Sequence, residues 1–244
     1  MKYNINIYLL YIFILLLLIY VSNNTRENYI DDKSDKEYIV ELICNKLKEQ
    51  DRLEKLKPLI EAFNITPSYY VDKTEVKVHP LYNKFKQETS DSERSLTINQ
   101  VTILQKNKDS GKFVLMFQSD VKPLMDLDII ISEIDKTINE MKENNVGIVF
   151  LGKGHIDTVD INKYTKISDT LYNSGESRCA EAYIMSSLCI KKYLDYFNNT
   201  NENVVDDWNF NYFLKATPDV LACYRIPELF EQDKNFPTLL NDRI

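Results

Sequence analysis

The chain has 244 residues, of which 44% are hydrophobic and 27% are charged, the proportions of an ordinary globular domain with a sizeable core. Its formal net charge of -7 argues against nucleic acid as the main partner, because phosphate backbones are bound by clustered Lys and Arg. The five glycines form neither a G-x-G-x-x-G nor a P-loop pattern, which excludes a Rossmann dinucleotide fingerprint and a Walker phosphate cradle.

The chain begins with an apolar segment, residues 5–21, in which Asn6 is the one strongly polar residue. At about 1.5 Å per residue, this segment and its flanks approach the ~30 Å hydrocarbon core of a bilayer, which predicts a membrane-spanning helix. A cleavable signal peptide is the alternative, but the apolar run exceeds the usual ~7–15 residues and no small-x-small cleavage site is evident. We therefore expect a signal-anchor over residues 1–25, a polar stem over 26–36 and one domain over 37–244.

This organisation predicts a single-pass type II membrane protein whose domain lies on the lumenal or extracytoplasmic side. Three N-x-T sequons, at Asn23, Asn64 and Asn198, are compatible with a glycoprotein in that location.

Beyond the stem, apolar periodicity predicts alternating strands and helices. A first strand is predicted over residues 38–44, although a helical start is nearly as compatible because Glu41 interrupts the apolar run. Helices are predicted over 52–63, where Pro58 introduces a kink or an early turn, and over 96–105; a short strand at 69–71 and an irregular loop over 72–94 separate them. The remaining predicted elements are strands 113–117, 146–151 and 179–185, helices 126–142, 187–197 and 206–214, and an irregular tail from residue 227.

The strand at 113–117, the amphipathic helix at 126–142 and the strand at 146–151 form a βαβ pattern. Such a unit predicts two adjacent parallel strands whose carboxyl ends lie on the same side. The polar residues Gln118, Ser119 and Asp120 follow the first strand, and Gly152 follows the second. Open α/β sheets bind ligands at this edge, so the sequence predicts the active site there.

Five segments in one order resemble glycosyltransferase family 25, the group of lipopolysaccharide-biosynthesis and procollagen-galactosyltransferase enzymes. They are FQSDVKP, VFLGKGH, RCAEAYIMS, DDWNFNYF and PELFEQD, and the upstream DRLEKLKPLIEAFNI is similar to an Arg-containing helix of that family. The resemblance covers most of residues 38–233. It implies a GT-A-like (Rossmann-like) α/β fold with a mostly parallel sheet flanked by helices, a nucleotide-sugar donor such as a UDP-hexose, a divalent cation, often Mn²⁺, and transfer with inversion.

Under this resemblance Asp120 is the expected metal ligand, because a hard cation bound by carboxylate oxygens can hold a diphosphate on an acidic protein. Gln118 projects to the same side of an extended chain as Asp120, whereas Ser119 faces away or caps the turn. The family matches give Gln232 and Glu231, in the tail, as weaker candidates for lining the same site. A turn residue with no ligand is the alternative for Asp120.

The expected general base is Asp207, which matches the family's Asp before Trp, with Asp206 as the alternate. Helix capping and dipole interactions explain the same pair without catalysis.

The sequence departs from the family pattern at the predicted metal site. The family's Glu-Asp-Asp is Gln118-Ser119-Asp120 here, which leaves one carboxylate in place of three. Glu181, on a neighbouring strand, could supply a second carboxylate. We therefore predict a membrane-anchored hexosyltransferase acting on a glycan or protein hydroxyl, with a catalytically silent GT-A-like domain that binds a glycan or a partner as the alternative.

The histidines, cysteines and aromatic residues give less information about function. The two histidines, His79 and His155, exclude a His-rich zinc site, and the four cysteines lack C-x-x-C spacing, so they are buried thiols or disulfides of unknown pairing. Three aromatic residues could stack on a base or a sugar, or belong to the core: Tyr183, Trp208 and Tyr212.

Overall fold

The computed structural model describes residues 36–152, 161–176 and 180–235; of residues 161, 206 and 207 it describes the backbone but not the side chains. Residues 1–35, which contain the predicted anchor and most of the predicted stem, lie outside this part. Among the residues described, no helix is long and apolar enough to cross a membrane.

The described residues contain nine strands and five α-helices. The strands are β1 (Tyr38–Ile43), β2 (Phe113–Gln118), β3 (Val121–Pro123), β4 (Val146–Phe150), β5 (Thr165–Lys166), β6 (Leu171–Asn173), β7 (Ala182–Met185), β8 (Leu221–Arg225) and β9 (Phe230–Gln232). The helices are α1 (Gln50–Phe63), α2 (Asp91–Asn107), α3 (Leu127–Glu143), α4 (Ser187–Asn199) and α5 (Asp206–Ala216).

Seven of these strands form one mixed sheet in the order β1-β2-β7-β4-β8-β6-β5, and β3 pairs with β9 in a separate antiparallel ribbon. The pairs β1–β2 and β4–β8 are parallel. Strand β7 lies between β2 and β4 and is antiparallel to both, so β2 and β4 run in the same direction without touching. The α/β class is therefore confirmed, but the prediction that these two strands are adjacent is wrong.

The central position of β7 follows from its composition. All four of its residues are buried, as a strand covered on both faces requires. Its register pairs Tyr183 with Met116 on one side and with Phe150 on the other. An apolar strand with two partners can occupy the middle of a sheet in either direction, and nothing in its local pattern specifies which.

Apolar layers cover the two faces of the sheet. Helices α2, α4 and α5 pack on one face through residues such as Ile98, Tyr193 and Phe210, which join Val114 and Phe150 of the sheet in one buried cluster. On the other face, α1 and α3 pack against the alternate strand residues, including Leu115 and Val149. Because side chains alternate along a strand, β2 and β4 contribute to both layers, and the result is a three-layer helix–sheet–helix domain.

Several boundaries differ from the sequence prediction. Helix α2 begins at Asp91, within the predicted loop, because Ser90 and Glu93 form a reciprocal capping box. Helix α1, predicted over 52–63, begins two residues earlier, at Gln50, and contains Pro58. The predicted strand at 69–71 is wrong: the nearest ladder contact is an isolated bridge between Ile43 and Ser68. The tail predicted to be irregular contains β9, and strand β8 was not predicted at all.

Candidate functional site

One edge of the sheet gathers most of the residues that the sequence singled out. The carboxyl ends of β1, β2, β4 and β8 meet there with the amino end of antiparallel β7. The backbone amide of Gln118 donates to the carbonyl oxygen of Glu181 at 2.9 Å, so these two residues are direct neighbours across β2 and β7. The sheet thus brings Gln118 and Glu181 together, although they are far apart in the sequence.

Asp120 is held by the β3–β9 ribbon. Gln232 Nε2 donates to Asp120 Oδ2 at 2.7 Å, and the Asp233 amide donates to the Asp120 carbonyl oxygen at 2.6 Å. The other side-chain oxygen of each partner, Asp120 Oδ1 and Gln232 Oε1, is buried and has no hydrogen-bond partner among the described residues. Buried polar atoms normally have partners, so these two oxygens are candidates for binding a ligand.

Carboxylate and amide oxygens of this kind suit a hard divalent cation. Within the described residues, however, no group of three or more His, Cys, Asp or Glu side chains could hold a metal ion. Asp120 and Gln232 therefore fit a cation only if a ligand such as a diphosphate supplies most of the other oxygen atoms.

Glu181 is buried with 3% of its surface exposed, and its side chain lies against Gly152. A Cβ atom built on Gly152 would overlap Glu181 Oε1, Cδ and Cγ. The absence of a side chain at residue 152 is therefore what makes room for the Glu181 carboxyl group at the end of β4.

The Ser119 side chain forms hydrogen bonds with two residues of the α1 region. Arg52 Nη1 donates to Ser119 Oγ at 2.9 Å, and Ser119 Oγ donates to a carboxylate oxygen of Glu49. All three side chains are buried. Sequence reasoning missed Glu49 and gave Arg52 no role beyond its helix, because contacts between such distant segments leave no local signal.

A cleft of about 530 Å³ opens where β1 ends. Its lining includes Asn45, Lys48, Tyr69, Tyr70 and Asp72, none of which was predicted as a site residue. The hydrogen bond from Lys48 Nζ to Asp72 Oδ2, 2.8 Å long, is the main reason that the pKa of Asp72 is lowered to about 2. A strand followed directly by polar residues was the available signal, but it is common to many strand ends.

The backbone of Asp206 and Asp207 forms the first turn of α5. One turn later, the Phe210 ring lies 6.0 Å from that of Phe150 and 5.1 Å from that of Tyr183, which fixes α5 over the ends of β4 and β7. The roles assigned to the two acids remain predictions.

The aromatic residues separate into two groups. Tyr183 is fully buried and belongs to the core, whereas 56% of Trp208 and 38% of Tyr212 are exposed on α5.

Glu231, one of the two weaker candidates in the tail, forms an ion pair with Lys122 at 2.6 Å across the ribbon. His79 Nδ1 accepts a hydrogen bond from the Leu81 amide, as a loop residue does, and burial lowers its pKa. His155 lies outside the described residues.

Three of the cysteines, Cys44, Cys189 and Cys223, are free and buried, and burial raises the pKa of the Cys44 and Cys223 thiols to about 12. Cys179 lies outside the described residues.

The chain has little similarity to known proteins. No family model and no curated protein matches the chain. Among solved structures, mouse xyloside xylosyltransferase 1 in its apo form aligns with a TM-score of 0.28 and 12% sequence identity, over 70% of this chain and 59% of that one. A similarity at this level identifies neither the fold nor the function.

Proposed function

We propose that this protein is a glycosyltransferase that transfers a hexose, galactose among the candidates, from a UDP-sugar to a hydroxyl group of a glycan or protein. The observation that carries the proposal is the pair of buried, unpartnered oxygens, Asp120 Oδ1 and Gln232 Oε1, at the carboxyl edge of the sheet. A GT-A-like arrangement, with the donor bound at this edge, fits the mixed sheet and the order of the five sequence segments.

The cleft at the end of β1 is the proposed binding site of the nucleoside. The Tyr69 and Tyr70 side chains in its lining offer aromatic faces for a base, and Asn45 offers an amide. The loop that contains Asn45 is connected through Glu49 to Ser119, next to Asp120. The donor would thus extend from the cleft toward Asp120.

Asp120 Oδ1 and Gln232 Oε1 would hold a divalent cation, with Mn²⁺ as the proposed ion. When bound, such a cation neutralises negative charge on the departing diphosphate. Gln118 and Glu181 border this position on β2 and just before β7, and Glu181 is the proposed source of a second carboxylate.

Asp207 is the proposed general base, with Asp206 as the alternate. The base accepts the proton of the acceptor hydroxyl, whose oxygen forms a bond to the anomeric carbon. The bond between that carbon and the diphosphate oxygen breaks, and the electron pair leaves with UDP. Attack from the face opposite the leaving group inverts the configuration.

The test measures Mn²⁺ and UDP binding by the full chain in detergent. We expect Asp120→Asn to weaken Mn²⁺-dependent UDP binding by about tenfold or more, since it removes a charge from a buried oxygen site. Asp195→Asn, at an exposed acid on α4 that accepts a hydrogen bond from Asn199, serves as the control and should bind normally. Unchanged Mn²⁺ affinity in both Asp120→Asn and Glu181→Gln would exclude the proposed metal site.

A catalytically silent domain that binds a glycan or a partner is the second candidate. It is favoured by the lack of any three-residue acidic or metal-ligating cluster within the described residues. Transfer or hydrolysis with a panel of UDP-sugars and Mn²⁺ distinguishes the two. Turnover with any donor supports the enzyme, and the absence of both turnover and donor binding supports the silent domain.

A further inference from the structure

Glu49, Arg52 and Ser119 form a buried polar network that connects two strand ends. Their exposed fractions are 6%, 6% and 7%. Arg52 Nη1 lies 2.9 Å from Ser119 Oγ and 3.5 Å from Glu49 Oε1, and the Ser119 hydroxyl donates to that same Glu49 oxygen. The three groups therefore bond to one another almost out of contact with water.

The network reaches the cleft through the second carboxylate oxygen of Glu49. That oxygen accepts a hydrogen bond from the backbone amide of Asn45. Asn45 also binds the Lys48 and Glu49 amides through its own carbonyl oxygen, at 3.1 and 2.9 Å. Glu49 thus fixes the loop at residues 45–48, which forms one wall of the cleft.

At its other end the network reaches the Asp120 site. Ser119 directly precedes Asp120, whose side chain and backbone are held by Gln232 and Asp233. Because Arg52 and Glu49 hold the Ser119 hydroxyl, they also restrict the backbone at residue 119. The position of the next residue, Asp120, is restricted with it. One buried contact therefore sets the wall of the cleft and the orientation of Asp120 together.

Fold stability alone gives little reason for such a network. Moving charges out of water is costly, and replacing a buried ion pair with apolar residues is often neutral or stabilising. Helix α1 already packs on the sheet through Leu56 and Leu59, which are nearly completely buried. A buried polar group is better explained by the geometry that its directional bonds impose.

We propose that Glu49, Arg52 and Ser119 are positioning residues that hold the cleft wall and Asp120 in a fixed relation for one bound nucleotide diphosphate. This inference rests on the proposed function for the identity of the ligand. The hydrogen-bonded connection between the 45–48 loop and Ser119–Asp120 does not depend on any ligand.

The test uses Ser119→Ala, which removes the hydroxyl and leaves the Arg52–Glu49 pair. Hydrogen exchange of the full chain without ligand should become faster, about tenfold, at the Asn45 and Lys48 amides and at the Asp233 amide together. Mn²⁺-dependent UDP binding should weaken by a similar factor, and the unfolding midpoint should fall only modestly, because Arg52 and Glu49 remain paired with each other. Arg52→Lys, whose single ammonium cannot reproduce the guanidinium fork, should act in the same direction and provides a second variant.

The matched control is Glu41→Gln. Glu41 is a buried acid of β1 that is bound to α2 through Asn107 Nδ2, at 2.9 Å, and is not part of the Glu49–Arg52–Ser119 network. We expect Glu41→Gln to lower the stability of the fold without changing hydrogen exchange at the Asn45, Lys48 and Asp233 amides. The positioning role is overturned if, in both Ser119→Ala and Arg52→Lys, exchange becomes faster only in the 45–48 loop, only at Asp233, or at neither. A wild-type protein that does not bind UDP overturns the proposed function instead, because the exchange measurement needs no nucleotide.

Discussion

Gly152 and Glu181 show how a residue with no side chain and a buried acid depend on each other. The Glu181 carboxyl group occupies the space that a Cβ at residue 152 would need, and burial leaves it little room to move. The requirement for glycine comes from this contact and not from backbone conformation, because the described glycines with positive φ are Gly111 and Gly175.

We expect Gly152→Ala to lower the free energy of unfolding by about 1–3 kcal/mol, the usual effect of overpacking a buried site. Chemical denaturation provides the measurement. In a Glu181→Ala background the obstructing atoms are gone, so adding Gly152→Ala should cost much less. Equal costs in both backgrounds would show that the contact is not the cause.

Asp72, in the cleft, should make the stability of the folded protein depend on pH in the acid range. Its pKa in the folded protein, about 2, lies below its ordinary value of 3.8, chiefly because Lys48 donates a hydrogen bond to the carboxylate. A lowered pKa stabilises the folded protein at pH values above the ordinary pKa, and this stabilisation is lost as the pH falls toward about 2.

We therefore expect Asp72→Asn to be less stable than the wild type at neutral pH by about 1 kcal/mol, a value reduced by the exposure of Lys48 to solvent. The difference should shrink as the pH falls toward about 2 and disappear below it, where Asp72 is protonated and both side chains are neutral. Unfolding free energies measured for both proteins from neutral to acidic pH test this, and a difference that grows on acidification contradicts it.

Among the secondary-structure elements, α2 has the most clearly defined start. Ser90 Oγ accepts from the Glu93 amide at 3.3 Å, and Glu93 Oε2 accepts from the Ser90 amide at 2.8 Å. Both hydrogen bonds satisfy amides that a helix otherwise leaves without partners.

Ser90→Ala should lower the free energy of unfolding by about 1 kcal/mol, the typical cost of losing an N-cap. Thr102→Ala on the same helix is the matched control. Its hydroxyl bonds to the Ile98 carbonyl, already the acceptor of a helical hydrogen bond, so its loss should cost little. Thermal unfolding of the two variants side by side decides the matter, and equal shifts would argue against the cap.

Elements with long, regular patterns were predicted well from the sequence. Helix α3 was expected at 126–142 and occupies Leu127–Glu143, with Ile130, Ile134, Ile138 and Met141 buried as predicted. Strands β3 and β9 have three residues each, too few for a periodicity to be recognised. The antiparallel direction of β7 depends on its partners and not on its own residues.

The candidate site was predictable to a similar degree. Gln118 and Asp120 follow an unmistakable buried strand, so their place at the sheet edge could be inferred. The partnership of Ser119 with Glu49 and Arg52 could not, because it joins residues that are 70 and 67 positions apart. The pairing of Asp120 with Gln232 likewise depends on two short strands that meet only in the folded chain.

At the scale of the whole molecule, the proposed lumenal location of the domain can be tested through its N-glycosylation sequons. Asn64 follows α1 with φ of 50°, Asn198 lies near the end of α4, and both are exposed in the folded domain. Both should therefore remain accessible to modification.

Expressed through a secretory pathway, the full chain should carry N-glycans at Asn64 and Asn198. Asn64→Gln and Asn198→Gln should each remove one glycan, seen as a step in electrophoretic mobility that enzymatic deglycosylation abolishes. If neither substitution changes the mobility, the domain does not face the lumen. Asn45→Gln, which is not in a sequon, is the control.

The central position of β7 also determines when the sheet can form during synthesis. Strands β2 and β4 are both complete by residue 150. The strand that pairs with both of them, β7 (Ala182–Met185), is synthesised later. A nascent chain that ends before this point exposes one unpaired edge of β2 and both edges of β4, and such apolar edges are the usual starting points of aggregation. The two parts of the sheet therefore cannot join until residue 185 has been synthesised, and β4 keeps one open edge until β8 (Leu221–Arg225) follows.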